Sequence, residues 1–116
     1  MNQDVLLFFD RAKEALLLYE MLEQGIIACC GDVTVHVQKS QIAFDNGRRF
    51  AFASLRGKKL IVSFGLGERA DSPRIAQAVE AAPRRWTHHV PVLSAADLDE
   101  ELFRWIRQAY DFAARK

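Results

Sequence analysis

Residues 33–66 read VTVHVQKSQIAFDNGRRFAFASLRGKKLIVSFGL, and the period of this stretch decides the fold class. Val33, Val35 and Val37 fall on one side of an extended chain, while Thr34, His36 and Gln38 fall on the other. That is the period of two expected of a half-buried strand. Ile42 and Phe44 alternate in the same way, and Asn46-Gly47 then supplies two residues that tolerate the positive φ of a type I′ hairpin. Phe50 and Phe52 resume the alternation, and Arg56-Gly57 makes a second tight connection to Leu60, Val62, Phe64 and Leu66. The stretch predicts four antiparallel strands. Their expected core face is Val33, Val35, Val37, Ile42, Phe44, Phe50, Phe52, Leu60, Val62, Phe64 and Leu66. The opposite face is small, with Ala43, Ala51, Ala53, Ser63 and Gly65, and so admits a close neighbour. A helix of the same chain or a second subunit is the plainer occupant, with a ligand as the alternative.

Working outward, Val5, Phe8, Phe9, Ala12, Leu16, Tyr19 and Leu22 recur at spacings of three and four. They predict one amphipathic helix from Gln3 to about Gln24, stopped by Gly25. The run Ile26 to Cys30 is ambiguous between a further helical turn and extended chain. After the meander, Asp71-Ser72-Pro73 has the grammar of a helix start, and Ile75, Ala76, Ala78 and Val79 predict a short helix ending before Pro83. Trp86 to Leu93 predicts a fifth strand, with Trp86, His88, Val90 and Val92 on one face and Thr87, His89 and Pro91 on the other. Pro91 lacks a ladder donor, which argues for an edge strand or one whose end is edge-like. Ser94 and Asp97 have the spacing of a capping box, and Leu98, Leu102, Trp105, Ile106, Ala109, Tyr110 and Ala113 form the buried stripe of a long last helix. The expected architecture is α+β: a mainly antiparallel five-stranded sheet, long N-terminal and C-terminal helices, and a short helix before the last strand.

At 116 residues the chain fits a single domain spanning 1–116, and half of its residues are hydrophobic, which excludes a disordered chain. It has no apolar run long enough to span a membrane and no basic signal-like start, so a cytoplasmic location is expected. Cys29 and Cys30 match no zinc or redox spacing and read as small buried thiols of a reducing compartment. Charge is unevenly placed. Arg11 and Lys13 face Asp4, Asp10, Glu14, Glu20 and Glu23 in residues 1–24, a balance of minus three. Residues 33–92 carry ten Lys or Arg against four Asp or Glu, a balance of plus six. A basic middle points toward anionic partners and says nothing of fold.

Chemistry is densest in Pro83-Arg84-Arg85-Trp86-Thr87-His88-His89-Val90-Pro91-Val92. Adjacent histidines on a strand point to opposite faces, so His88 and His89 cannot share one metal, and no metal site is expected. Alternation sends His88 toward Trp86 and Val90 as a structural group and leaves His89 for a ligand. No nucleophile elbow, phosphate-binding glycine loop or H-E-x-x-H pattern occurs. An acid–base pair of His88 or His89 with Asp71 or Asp99 is the only enzymatic reading, and it is unspecific. Lys39, Arg48, Arg49, Arg56, Lys58 and Lys59 lie mostly at hairpin ends, joined later by Arg84 and Arg85. Such residues hold phosphate or nucleic-acid backbone, with Trp86 for stacking, and they also keep sheet edges soluble.

Three stretches carry a resemblance. They are Lys39-Ser40-Gln41-Ile42-Ala43-Phe44 with Arg49-Phe50-Ala51; Asp71-Ser72-Pro73-Arg74-Ile75; and Arg85-Trp86-Thr87-His88-His89-Val90 leading into Asp97-Leu98-Asp99-Glu100-Glu101-Leu102 and Trp105-Ile106-Arg107-Gln108-Ala109-Tyr110. In these the chain resembles a bacterial family of small domains of unknown function, some loosely labelled predicted transport proteins. The resemblance implies the domain and its boundaries, and no activity or cofactor. If the family shares a ligand site, it implies Lys39, Arg85, Trp86, His88 and His89, to which the basic turn adds Arg49. The expected role is a non-catalytic module for an anionic small molecule or a protein partner, with a homodimer as one arrangement. Nucleic-acid binding by the basic hairpin ends is the alternative, and a small enzyme using His88 or His89 comes third.

Overall fold

The structure is a computed structural model that describes residues 3–114. Among these residues the chain forms α1 (Gln3–Phe8), α2 (Lys13–Cys30), β1 (Thr34–Val37), β2 (Ile42–Asp45), β3 (Arg49–Arg56), β4 (Lys59–Leu66), β5 (Gln77–Ala82), β6 (Arg85–Val92), a 3-10 turn at Ala95–Asp97, and α3 (Glu100–Ala114). Every strand pairing is antiparallel, in the order β1-β2-β3-β4-β6-β5. No helix of the described residues is long and apolar enough to cross a membrane.

The sheet has six strands, one more than the sequence reading expects, because the predicted short helix is strand β5. Gln77 to Ala82 is rich in alanine, and its preference for helix is worth only tenths of a kcal/mol per residue. Pairing with Arg85 to His89 of β6 outweighs it. Strand β6 is therefore internal, and of the two readings drawn from Pro91 it is the edge-like strand end that holds. The carbonyl of His89 accepts from Ala76 N–H at 2.9 Å, so the nitrogen of Pro91, two residues on, faces the same side. By that point β5 has already ended, since its first pair is Gln77 with His89. The proline withholds a donor where no partner strand remains.

The single N-terminal helix is in fact two. The chain breaks at Phe9–Ala12, where no glycine or proline occurs, and the break lets Phe9 enter the core, its ring 5.2 Å from that of Tyr19. Gly25, expected as a terminator, sits inside α2, which runs on to Cys30. Its role is steric: a Cβ there would lie 2.3 Å from Cζ of Phe103 on α3. Gly25→Ala should therefore shift the Phe103 ring and cost about 1–3 kcal/mol of overpacking, against a helix-propensity gain of about 1 kcal/mol. Urea unfolding should show a net loss in Gly25→Ala that largely disappears in Gly25→Ala with Phe103→Leu. The same loss in both proteins would refute the contact as the cause.

The helices cover one face of the sheet. Tyr19, Leu22 and Ile26 of α2 and Leu102, Ile106 and Ala109 of α3 are buried with Phe44, Leu60, Val62, Phe64, Val90 and Val92. The face assignment of β3 differs from the sequence reading by one residue. Phe44 pairs with Ala51 but Asp45 pairs with Arg49, so Phe50 is the extra residue of a bulge and turns inward beside Ala51. The turn is correspondingly a three-residue loop, Asn46-Gly47-Arg48, instead of the two-residue hairpin that Asn46-Gly47 suggests. Beyond the bulge the phase is reversed: Ala51 and Ala53 face the helices and Phe52 faces away. The close neighbour that these two alanines admit is α3, which lies over β3 and β4.

Ser94 and Asp97 form the expected capping box, but it closes the 3-10 turn. Helix α3 starts later, with Asp99 Oδ1 accepting from Leu102 N–H at 3.1 Å. Cys29 and Cys30 are half-buried instead of buried, their sulfurs 3.3 Å apart, and burial pushes the Cys30 thiol up to about 12.

Candidate functional site

The second face of the sheet carries none of the three helices, and the strand register identifies its residues. A continuous cross-strand row runs His36, Ala43, Phe52, Ser63, His89, Gln77, each paired with the next. One row away lie Ser54, Ile61 and Pro91, and on the other side Gly65, Thr87 and Val79. The charged residues of this face are Arg49, Arg56, Lys59 and Arg85 against the single acid Asp45. Asp45 is occupied: one oxygen accepts from Gly47 N–H at 2.6 Å and the other lies 3.5 Å from His36 Nε2. The sheet face is thus the basic one, while the acids of the first 24 residues lie on α1, α2 and their connection.

Antiparallel order sorts the hairpin-end cations into two groups. The loops at 46–48 and 83–84 lie at one end of the sheet, and those at 38–41 and 57–58 lie at the other. At the first end Arg48, Arg49 and Arg85 converge on a cleft of about 470 Å³ that Phe52, Gly65 and Thr87 also line. Gly65 leaves the floor open, since a Cβ there would meet nothing within 4 Å. Arg48, Arg84 and Arg85 form no ion pair with a carboxylate among the described residues. Arg49 is steadied by the Gln38 amide, whose carbonyl, turned toward the guanidinium, accepts from Nη1 at 3.0 Å and Nη2 at 3.1 Å. Arg84 holds φ 60, a left-handed conformation in the two-residue Pro83-Arg84 turn that usually falls to Gly or Asn.

The remaining predicted site residues are separated from this cleft. Lys39 is exposed in the β1–β2 loop at the far end. Trp86 and His88 lie on the helix side. His88 is fully buried, stacked on Phe64 at 5.2 Å and 13°, and its Nε2 accepts from Ala70 N–H at 2.9 Å. That bond leaves the proton of the neutral ring on Nδ1, which is buried without a hydrogen-bond partner among the described residues. Burial holds the His88 pKa below its ordinary value, so the ring is neutral. Arg69 stands over Trp86, 6.0 Å from the ring centre.

His89 does reach the second face, as alternation predicts. Its Nδ1 lies 2.7 Å from Ser63 Oγ, and it lines a smaller hollow with Arg56, Ile61, Gln77 and Pro91. Burial, then Arg56, lowers its pKa. Ser63 is only 5 % exposed, so this pair is a hydrogen bond within the sheet and offers a substrate little access to the hydroxyl. No group of three or more His, Cys, Asp or Glu among the described residues could hold a metal.

Of the six residues singled out from sequence, the structure brings Arg49 and Arg85 together. Arg48, named from sequence only as one of the basic hairpin-end residues, joins them, as do Phe52, Gly65 and Thr87, which were not recognised as site residues. Arg48 carried a signal, being one of a basic pair after a turn. Phe52 carried a misleading one, because its alternation with Phe50 reads as core. The family model that matches the chain, over residues 7–113, is described as a domain of unknown function. No curated protein and no solved structure matches it.

Proposed function

The chain belongs to the DUF5655 family, whose function is unknown, and we propose that it is a non-catalytic binding module that takes an anionic group on the uncovered face of its sheet. One observation carries this reading. Two hairpins not adjacent in sequence place Arg48, Arg49 and Arg85 around one cleft, with no carboxylate of the described residues paired to them. Guanidiniums with no carboxylate beside them favour an anion, which accepts their fixed N–H donors. The anion belongs to a small molecule or to a partner; the cleft recognises the charge. The resting position of Arg49 against Gln38 keeps one donor set oriented without neutralising it.

Inorganic pyrophosphate is a direct probe. It should raise the melting temperature of the protein, and Arg48→Glu with Arg85→Glu should weaken its binding by about tenfold or more per arginine, since hydrogen bonds to charged groups contribute roughly 1.5–3 kcal/mol each. Both side chains are exposed, so the double variant should fold with an unchanged far-UV spectrum. Pyrophosphate binding that is absent, or equal in the two proteins, would refute the cleft.

A further inference from the structure

Resting on the anion-binding reading, we propose that the natural occupant of the uncovered face is a single-stranded nucleic acid lying across the whole sheet. A compact phosphate ligand would need cations at one end only. This face has them at both: Arg49 and Arg85, with Arg48 beside them in the cleft, at one end, Arg56 and Lys59 at the other. Strand β4, which joins the two ends, is eight residues long, about 26 Å at the rise of a strand. Charge spread over that length fits a chain of phosphates, and Asp45, the one acid on the face, is already engaged.

The row between the two basic ends is suited to bases. Rings occupy every second strand, His36 on β1, Phe52 on β3 and His89 on β6, with Ala43 and Ser63 between them. Adjacent strands are about 4.8 Å apart, so the rings recur at about 10 Å. Phe52 is the central one, partly exposed although it is the largest apolar residue of the row, and it also lines the arginine cleft. A phenylalanine beside arginines gives a base a face to stack on while its phosphate is held. Ser54 and Thr87 flank the row and Gln77 ends it, with hydroxyl and amide groups that can meet base edges. A duplex keeps its base faces stacked inside and would leave the rings idle, so single strands are the form this row selects.

The test uses the full chain and a fluorescein-labelled oligothymidylate of about 12 nucleotides, within the size range of single-strand sites. Anisotropy should show binding that weakens steeply between about 50 and 200 mM salt and that exceeds binding of a duplex of equal length. Phe52→Ala should weaken oligothymidylate binding about tenfold. Phe52→Leu, which keeps apolar bulk but removes the ring, should do the same if Phe52→Ala does not fold. Arg56→Glu with Lys59→Glu should weaken the oligonucleotide and spare pyrophosphate. Absent oligonucleotide binding, equal binding of duplex, or indifference to the Phe52 variants would overturn this proposal. If pyrophosphate still bound, the anion-binding reading would survive that failure; if neither bound, both would fall.

Discussion

Phe64→Ala should remove about 3–5 kcal/mol of stability, the range for emptying a buried aromatic site. Phe64 is fully buried on central strand β4, its ring stacked on His88 at 5.2 Å on one side and on Trp105 of α3 at 5.6 Å on the other. The substitution therefore deletes a ring's worth of apolar burial, two ring pairs worth about 0.5–1.5 kcal/mol each, and the layer joining sheet to helix. A domain of this size has about 5–15 kcal/mol in all, so the variant should be marginal. The urea midpoint should fall by about 1 M or more, and the near-ultraviolet signal of Trp105 should weaken even where the chain is still folded. Phe64→Leu, which leaves a smaller void, should lose less than half as much. A loss below about 1.5 kcal/mol in Phe64→Ala would show that the stack is not central to the core.

Mild acid should destabilise the protein through its two strand histidines. Both His88 and His89 have pKa values lowered in the fold, burial being the main cause, so the unfolded chain binds protons first as pH falls. With more protons bound in the unfolded state, stability rises with pH. The contribution is complete above the ordinary value of about 6.5 and is lost as pH drops from there toward the folded values. The slope is at most about 1.4 kcal/mol per pH unit for each histidine. The urea midpoint should be lower at about pH 5.5 than at about pH 7.5. His88→Gln keeps an acceptor for Ala70 N–H but does not titrate, and His89→Gln likewise removes a proton site; each should flatten part of the difference. A wild-type protein equally stable at the two values would contradict the buried neutral state of His88.

Where local pattern and tertiary pairing agree, the fold can be read from the residues. The meander from Thr34 to Leu66 follows its period of two, and the split between His88 and His89 follows from strand alternation alone. The failures share one cause, that a neighbour distant in sequence outweighed a local preference. Gln77 to Ala82 prefers helix by itself and becomes a strand because β6 presents an open edge. Gly25 looks like a stop and is a slot for Phe103, whose ring arrives from 78 positions away. The bulge at Phe50 leaves no mark in composition, yet it decides whether Phe52 faces α3 or the uncovered side. The site was legible in its ingredients and not in its assembly. Arg49 and Arg85 stand out as cations near turns, but only the pairing of β3, β4 and β6 brings them to one cleft. The same pairing sends Lys39 to the other end, and no spacing in the chain announces either result.

The one-sided helix layer also determines how the molecule behaves at a distance. Asp4, Glu14, Glu20 and Glu23 ride on α1 and α2 while Arg49, Arg56, Lys59 and Arg85 line the bare sheet, so these opposite charges of a nearly neutral protein lie on opposite sides of it. Near a polyanion such a body feels a torque before it feels a net pull. It turns its strands toward the charge while still several ångströms away, and screening over about 8–10 Å at ordinary salt sets the range of that turning. An anion approaching from the sheet side therefore meets the arginine cleft before it meets any helix.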